Sequence, residues 1–139
     1  MVRNVTCAAV LVCTLSAAAG AQQTDAERMA ILKREVPVLT QPGVIAVMAS
    51  ACGLRPQYYG GWARGHQTAA GNAVIKNLWG VDPMAVSQGP AYRAMQWVAD
   101  HIQTLDDRAS NPTPDDCGRL AADPILLGEA DDFVGSPYP

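Results

Sequence analysis

The stretch PAYRAMQWVADHIQTLDD, residues 90–107, decides the fold class of this chain. Its apolar side chains recur at intervals of three and four residues: Ala91, Ala94, Met95, Val98, Ile102 and Leu105. This spacing places them on one stripe of an α-helix, which must pack against other elements to leave water. Pro90 suits the first turn of a helix, where the N–H that proline lacks would have no partner. The pattern therefore predicts a helix from Pro90 to Asp107, ended by Asn111-Pro112.

Capping residues, prolines and glycines predict further helices on the N-terminal side of this stretch. Thr24-x-x-Glu27 has the form of a capping box and predicts a helix over residues 25–36, ended or kinked at Pro37. An almost wholly apolar helix is expected over residues 42–52, and a third helix over residues 57–79. Glycines at 60, 61, 65 and 71 weaken the third helix. Either close packing requires them, or the segment is a loop that turns helical near Gln67.

On the C-terminal side, Thr113-Pro114 predicts a short helix that holds Cys117 and stops at Asp123-Pro124. Strand signals are nearly absent, because no alternating apolar and polar run of useful length occurs. We therefore predict an all-α fold, a small bundle of about four to five helices. The helical domain is expected over residues 22–125, followed by an irregular acidic, proline-rich tail over residues 126–139.

Residues 1–21 have the pattern of a cleavable export signal. One positive charge precedes an apolar run from Val5 to Ala19, and Ala19-Gly20-Ala21 is the small-x-small pattern that signal peptidase cleaves. The alternative, a membrane anchor, needs about 20 apolar residues. Cleavage would leave two of the four cysteines. In a periplasmic or secreted domain, Cys52 and Cys117 are then expected to form one disulfide.

The charge distribution argues against two classes of partner. Residues 22–97 carry 7 basic and 4 acidic side chains, whereas residues 98–139 carry 2 and 9. Nucleic acids and anionic membranes need clustered Lys and Arg, so we expect neither nucleic-acid binding nor membrane insertion after signal removal.

No residue pattern predicts catalysis, a metal or another cofactor. His66 and His101 belong to no metal-binding motif, and the acidic pairs do not match a calcium-binding loop. We expect His66 to be a hydrogen-bonded core or boundary residue, and His101 to pair with Trp97 at the surface. No serine lies in a Gly-x-Ser-x-Gly motif, although a spatial triad of Ser50 with His66 remains open.

The segment YYGGWARGH, residues 58–66, is the most informative local cluster. Exposed aromatic and arginine side chains dominate the binding energy of protein interfaces. We therefore predict a binding surface made by Tyr58, Tyr59, Trp62, Arg64 and His66. The alternative is that these rings fill the core and that the glycines permit close helix contact.

These observations predict an exported, non-enzymatic interaction or accessory protein of the cell envelope that acts through a protein partner. The first alternative is a small-ligand carrier with a pocket lined by Trp62, Trp79 and Trp97. A periplasmic stress chaperone and a hydrolase are further alternatives.

Overall fold

The computed structural model of the protein describes residues 23–138. These residues form five α-helices: α1 (Asp25–Ala51), α2 (Tyr59–Trp79), α3 (Pro90–Ala109), α4 (Pro114–Ala121) and α5 (Pro124–Gly135). One short 3-10 helix, Pro83–Ala85, lies between α2 and α3. No strand occurs in the described part of the chain. The predicted all-α bundle is therefore confirmed.

The first helix is longer than the sequence predicts. We expected two helices separated at Pro37, but α1 runs unbroken for 27 residues with Pro37 and Pro42 inside it. A proline inside a helix leaves the carbonyl four residues earlier without its usual N–H donor. These carbonyls belong to Lys33 and Val38, which are exposed, so water can solvate them. The capping box at Thr24 is present as predicted. Gly53, with φ of 73°, ends the helix in the left-handed conformation.

The second helix is helical from Tyr59, close to the predicted start, so the alternative of a loop as far as Gln67 is wrong. Close packing explains two of the four glycines. A Cβ on Gly71 would lie 2.4 Å from Val98 of α3, and one on Gly65 would lie 2.6 Å from the hydroxyl of Tyr138. Gly61 faces open space. The helix ends at Gly80, which adopts the left-handed conformation.

The third helix carries the predicted apolar stripe into the core. Ala91, Ala94, Val98 and Ile102 are buried, and Met95 and Leu105 are half-buried. The stripe continues one turn further than predicted, through Asp106 and Ala109, both buried.

Cys52 and Cys117 form the predicted disulfide. It joins the C-terminal cap of α1 to α4, a helix of eight residues. Thr113 caps α4 in a capping box, as its sequence predicts. Because so short a helix has little apolar area of its own, the covalent link holds it against the bundle.

The C-terminal region is more helical than expected. We predicted an irregular tail from residue 126, but α5 occupies Pro124–Gly135, so only residues 136–138 of the described chain are irregular. Helix α4 ends at Ala121, just before Asp123-Pro124, as predicted, but the same dipeptide also starts α5: the Asp123 side chain accepts a hydrogen bond from the N–H of Leu126 at 3.0 Å. Proline in the first helical turn costs nothing, because no N–H is needed there.

Two apolar clusters make up the core, and α1 contributes to both. One cluster contains Leu32, Val36, Ile75 and Val98, and the other contains Ile45, Ala63, Leu120 and Val134. The two clusters occupy different heights along α1, α2 and α3. Three buried polar residues lie between them: Thr40, Gln67 and Asp106. Helix α1 contacts each of the other four helices, so it is the central element of the bundle.

The predicted signal peptide, residues 1–21, lies outside the described residues, as do Cys7 and Cys13. Among residues 23–138, no helix has the length and apolar character needed to cross a membrane.

Candidate functional site

The first turns of α2 divide the predicted binding surface between two faces. Tyr58 and Trp62 are 59% and 57% exposed, whereas Tyr59 is buried. Arg64 is exposed and His66 is half-buried. A helix turns about 100° per residue, so neighbouring residues of a cluster must face different ways. The structure therefore brings Tyr58 and Trp62 together at the surface and assigns Tyr59 to the core.

Tyr58 and Trp62 form a tilted aromatic pair on the exposed face. Their ring centroids are 4.7 Å apart, and the ring planes are inclined by 56°. The pair lies one helical turn apart, the spacing at which side chains on a helix touch. Its contact restricts the rotamers of both rings before any partner binds.

His66 extends this pair toward the C-terminus of the chain. Its Nδ1 lies 2.9 Å from the carbonyl oxygen of Trp62, and its Nε2 lies 2.6 Å from the carbonyl oxygen of Ser136. The Tyr138 ring packs edge-on against the imidazole at 4.5 Å, and Gly65 leaves room for its hydroxyl. His66 is thus a hydrogen-bonded boundary residue, as expected. We call Tyr58, Trp62, His66 and Tyr138 the aromatic strip.

Tyr59 takes part in a polar network that the sequence did not reveal. Its hydroxyl donates to Asp131 of α5, and Arg55 donates to the same carboxylate from Nε and Nη2 at 2.8 and 2.7 Å. The Arg55 hydrogen bonds lower the pKa of Asp131 to about 2. Burial, together with the neighbouring carboxylate, raises the pKa of Tyr59 to about 12. The network fastens α5 to α2 and to the loop before it.

Arg64 is anchored by a buried carboxylate. Its Nε donates to Asp106 at 3.1 Å, and the Nε2 of Gln67 donates to the other oxygen of Asp106, also at 3.1 Å. Burial raises the pKa of Asp106, while both hydrogen bonds oppose that change. Asp106 follows Ile102 by four residues on the α3 stripe, so the helical spacing could have indicated that it is buried.

A groove of about 560 Å³ lies beside the aromatic strip. Its walls come from the end of α1, the loop that follows, the first turns of α2 and the end of α3. We call it the arginine groove and define it by Ser50, Arg55, Gln57, Gly61, Arg64 and Ser110. None of the described residues that line it is acidic.

The two arginines of the groove differ in their free hydrogen-bond donors. Arg55 engages Asp131 through Nε and Nη2, and its Nη1 donates to the carbonyl of Leu54 at 2.8 Å. Arg64 uses only Nε for Asp106. Within residues 23–138, its two terminal nitrogens make no hydrogen bond. Arg64 is therefore the arginine that can bind a ligand.

A second exposed apolar surface lies beside the middle of α1 and the start of α5. Val38 and Ile125 are 73% and 75% exposed there, beside a cavity of about 410 Å³ between α1 and α5. Its residues are aliphatic, and its cavity is lined by Pro37, Pro42 and Leu126 among others. We call Val38 and Ile125 the aliphatic patch.

The side chains considered for catalysis do not form a catalytic arrangement. The Ser50 hydroxyl faces the carbonyls of Pro56 and Gln57, both at 3.1 Å, whereas the His66 nitrogens face the carbonyls of Trp62 and Ser136. The two residues therefore do not form a nucleophile–base pair. Within residues 23–138, no group of three or more His, Cys, Asp or Glu side chains converges as a metal site would require.

His101 stacks on Trp97, as its spacing predicts. The ring centroids are 4.9 Å apart and the planes differ by 15°. Burial lowers the pKa of His101. Lys33 of α1 lies 5.9 Å from the centre of the Trp97 ring. The cluster packs the outer surfaces of α1 and α3 together.

The three tryptophans do not meet around one cavity. Trp62 and Trp79 lie near opposite ends of α2, about 25 Å apart along the helix axis. Trp79 donates from its indole nitrogen to Asp25 at 2.9 Å, and Trp97 stacks on His101. This arrangement does not support the pocket proposed for a ligand carrier.

No protein-family model, curated protein or solved structure matches the chain. The function proposed below therefore rests on the residues of the aromatic strip and the arginine groove.

Proposed function

We propose that this chain is an exported, non-enzymatic interaction protein that binds a protein partner through its aromatic strip. The observation that carries the proposal is the aromatic contact between Tyr58, the N-cap residue of α2, and Trp62 in its first turn, each more than half exposed. Large aromatic side chains are costly to leave in water, and they are the side chains that most often dominate interface energies.

The pair has a form suited to binding. Trp62 lies in the first turn of α2 and Tyr58 caps that helix, and the contact between the rings restricts their motion. The two side chains therefore lose little conformational entropy when a partner docks. The neighbouring Gly61 carries no side chain, and a Cβ there would meet nothing within 4 Å. A partner can therefore reach the backbone of α2 next to the rings.

The disulfide supports the proposed location. Cys52 and Cys117 are paired, and disulfides persist in oxidising compartments such as the periplasm or the extracellular space. The signal-like pattern of residues 1–21 points the same way. Analysis of the secreted protein by N-terminal sequencing would test this part directly, with Gln22 as the expected first residue.

The binding proposal is tested by affinity capture from native envelope extracts with three forms of the protein. These are the wild type, Tyr58→Ser with Trp62→Ser, and the matched control Val38→Ser with Ile125→Ser. The control removes two exposed apolar side chains from the aliphatic patch instead of the aromatic strip. We expect one stoichiometric partner to be captured by the wild type and by the control, and to be lost from the aromatic variant.

Two results would contradict the proposal. One is a partner that the aromatic variant retains as well as the wild type does. The other is a failure to capture any stoichiometric protein after cross-linking in native envelopes. Circular dichroism of each variant checks that the helices are intact, which we expect because all four substituted side chains are exposed.

A further inference from the structure

We propose that the arginine groove binds a carboxylate group of the protein partner, presented on an extended acidic segment that crosses α2 to the aromatic strip. This inference rests on the proposed function, because it states the chemistry of the partner that the aromatic strip binds.

The free edge of Arg64 is the binding group. Its Nε holds Asp106 at 3.1 Å, and its side chain is about half exposed at the groove. The planar guanidinium presents its remaining N–H groups in a fork that matches the two oxygens of a carboxylate. The bond to buried Asp106 also fixes the orientation of the guanidinium, so the Arg64 side chain loses little conformational entropy when it binds a carboxylate.

The charge of the groove favours an acidic ligand. Its lining contains two arginines and no acidic residue, although the chain as a whole has 13 acidic against 10 basic residues. The Asp106 carboxylate is wholly buried behind Arg64, whereas Asp131, which binds Arg55, is 42% exposed and does not line the groove. An incoming carboxylate therefore meets the donor side of Arg64 first.

The path from the groove to the aromatic strip is open. Tyr58 and Arg64 are six residues apart, which places them roughly 120° apart around the axis of α2. Gly61 lies between them and presents no side chain. The helical rise also separates them by about 9 Å along the axis. An extended peptide advances about 3.3 Å per residue, so two or three residues span this axial distance together with the reach of the acidic and aromatic side chains at their ends. The fitting segment has an acidic residue followed two or three positions later by an aromatic or large apolar residue.

The test uses three blocked tripeptides as probes of the folded, oxidised protein. The first is acetyl-Glu-Ala-Trp-amide, and the second, acetyl-Gln-Ala-Trp-amide, is its uncharged isostere. The third is acetyl-Gln-Ala-Trp with a free C-terminal carboxylate, which distinguishes a terminal carboxylate from a side-chain one. Binding is followed by NMR through the amide signals of Gly60 and Gly61 and the Nε–H signal of Arg64.

The variants separate ligand binding from the structural role of Arg64. Arg64→Lys keeps a positive charge beside Asp106 but lacks the planar pair of N–H groups that would bind the two oxygens of a carboxylate. Arg64→Gln with Asp106→Asn removes both charges of the pair, so neither variant leaves a buried carboxylate without a partner. Arg93→Gln, on the exposed surface of α3, is the control for the loss of one positive charge.

We expect the Glu peptide to shift the three signals and to bind about tenfold more tightly than the Gln amide, as charge-assisted hydrogen bonds do. Both Arg64 variants should lose this preference, and Arg93→Gln should keep it. Tighter binding of the peptide with a free C-terminus would also support the carboxylate site, and it would identify the ligand as a terminal carboxylate instead of a side-chain one. Equal binding of all three peptides, or no shift with any of them up to their solubility limit, would overturn the inference. If the inference alone fails, capture of the partner will still depend on Tyr58 and Trp62.

Discussion

The contact between Gly71 of α2 and Val98 of α3 makes a sharp prediction about stability. A Cβ on Gly71 would lie 2.4 Å from Cγ1 of Val98, whereas carbon atoms normally approach to about 3.5–4.0 Å. Val98 is buried, and a β-branched side chain in a helix has one strongly preferred rotamer. It cannot rotate away cheaply, so Gly71→Ala must move the two helices apart.

The size of the effect follows from two opposing contributions. Overpacking a core costs about 1–3 kcal/mol, and a clash of more than 1 Å belongs at the upper end. Replacing glycine by alanine inside a helix recovers about 1 kcal/mol. Gly71→Ala should therefore lower the free energy of unfolding by about 2 kcal/mol. Urea unfolding followed by circular dichroism measures this difference, provided that the m-values agree.

Two further variants isolate the cause. Gly61→Ala lies in the same helix but meets nothing within 4 Å, so it should raise the free energy of unfolding by up to about 1 kcal/mol. Val98→Ala removes the methyl group that clashes, so the double variant should lose less stability than the sum of the single changes. A Gly71→Ala protein as stable as the wild type would refute the proposed packing of α2 on α3.

Three other predictions concern the polar network, the disulfide and the tail. The pKa of Asp131 is depressed to about 2, so its contribution is present above its unfolded value near 4 and is lost as the pH falls toward 2. With the side chain 42% exposed, we discount this contribution for solvent screening to about 1 kcal/mol. Between pH 4 and pH 2, unfolding experiments should therefore show a steeper loss of stability for the wild type than for Asp131→Asn, and parallel curves would contradict this. Replacing Cys52 and Cys117 by alanine should cost roughly 4 kcal/mol by chain-entropy arguments, and an unchanged urea midpoint would contradict that. Gly65→Ala should displace the ring of Tyr138, seen as loss of nuclear Overhauser contacts between Tyr138 and His66, with the helical circular dichroism retained.

The parts of the fold that could be predicted from the sequence are those with a local cause. The α3 stripe follows from side-chain spacing alone, and the capping residues Thr24 and Thr113 start their helices because their hydroxyls bond backbone N–H groups in the same turn. The disulfide could be predicted because removal of the predicted signal peptide would leave two cysteines to pair.

Prolines were misread where their effect depends on the surroundings. Pro37 and Pro42 remain inside α1 because the carbonyls that they leave free belong to exposed residues, and exposure is a tertiary property. Asp123-Pro124 follows the end of α4, as the sequence predicts, and it also starts α5, which the sequence does not predict. The same dipeptide is compatible with an irregular tail and with a new helix, and the packing of the following residues on the bundle decides between them.

The site was predictable in composition but not in orientation. The sequence indicated a cluster of aromatic residues at 58–66, yet it could not tell which side of α2 faces the bundle. Tyr59 is therefore a core residue, while Tyr58 and Trp62 are exposed. The partners of Arg64 and Arg55 lie 42 and 76 residues away along the chain, so local patterns could not identify them.

The central claim is that the exposed pair of Tyr58 and Trp62 provides the binding energy for a protein partner. Its most direct test is titration calorimetry of the purified partner against the wild type, the Tyr58→Ser and Trp62→Ser double variant, and the Val38→Ser and Ile125→Ser control. Two central aromatic side chains contribute about 2 kcal/mol or more each, so the double variant should bind at least about 100-fold more weakly, while the control keeps the wild-type Kd. A double variant with the wild-type Kd would contradict the claim.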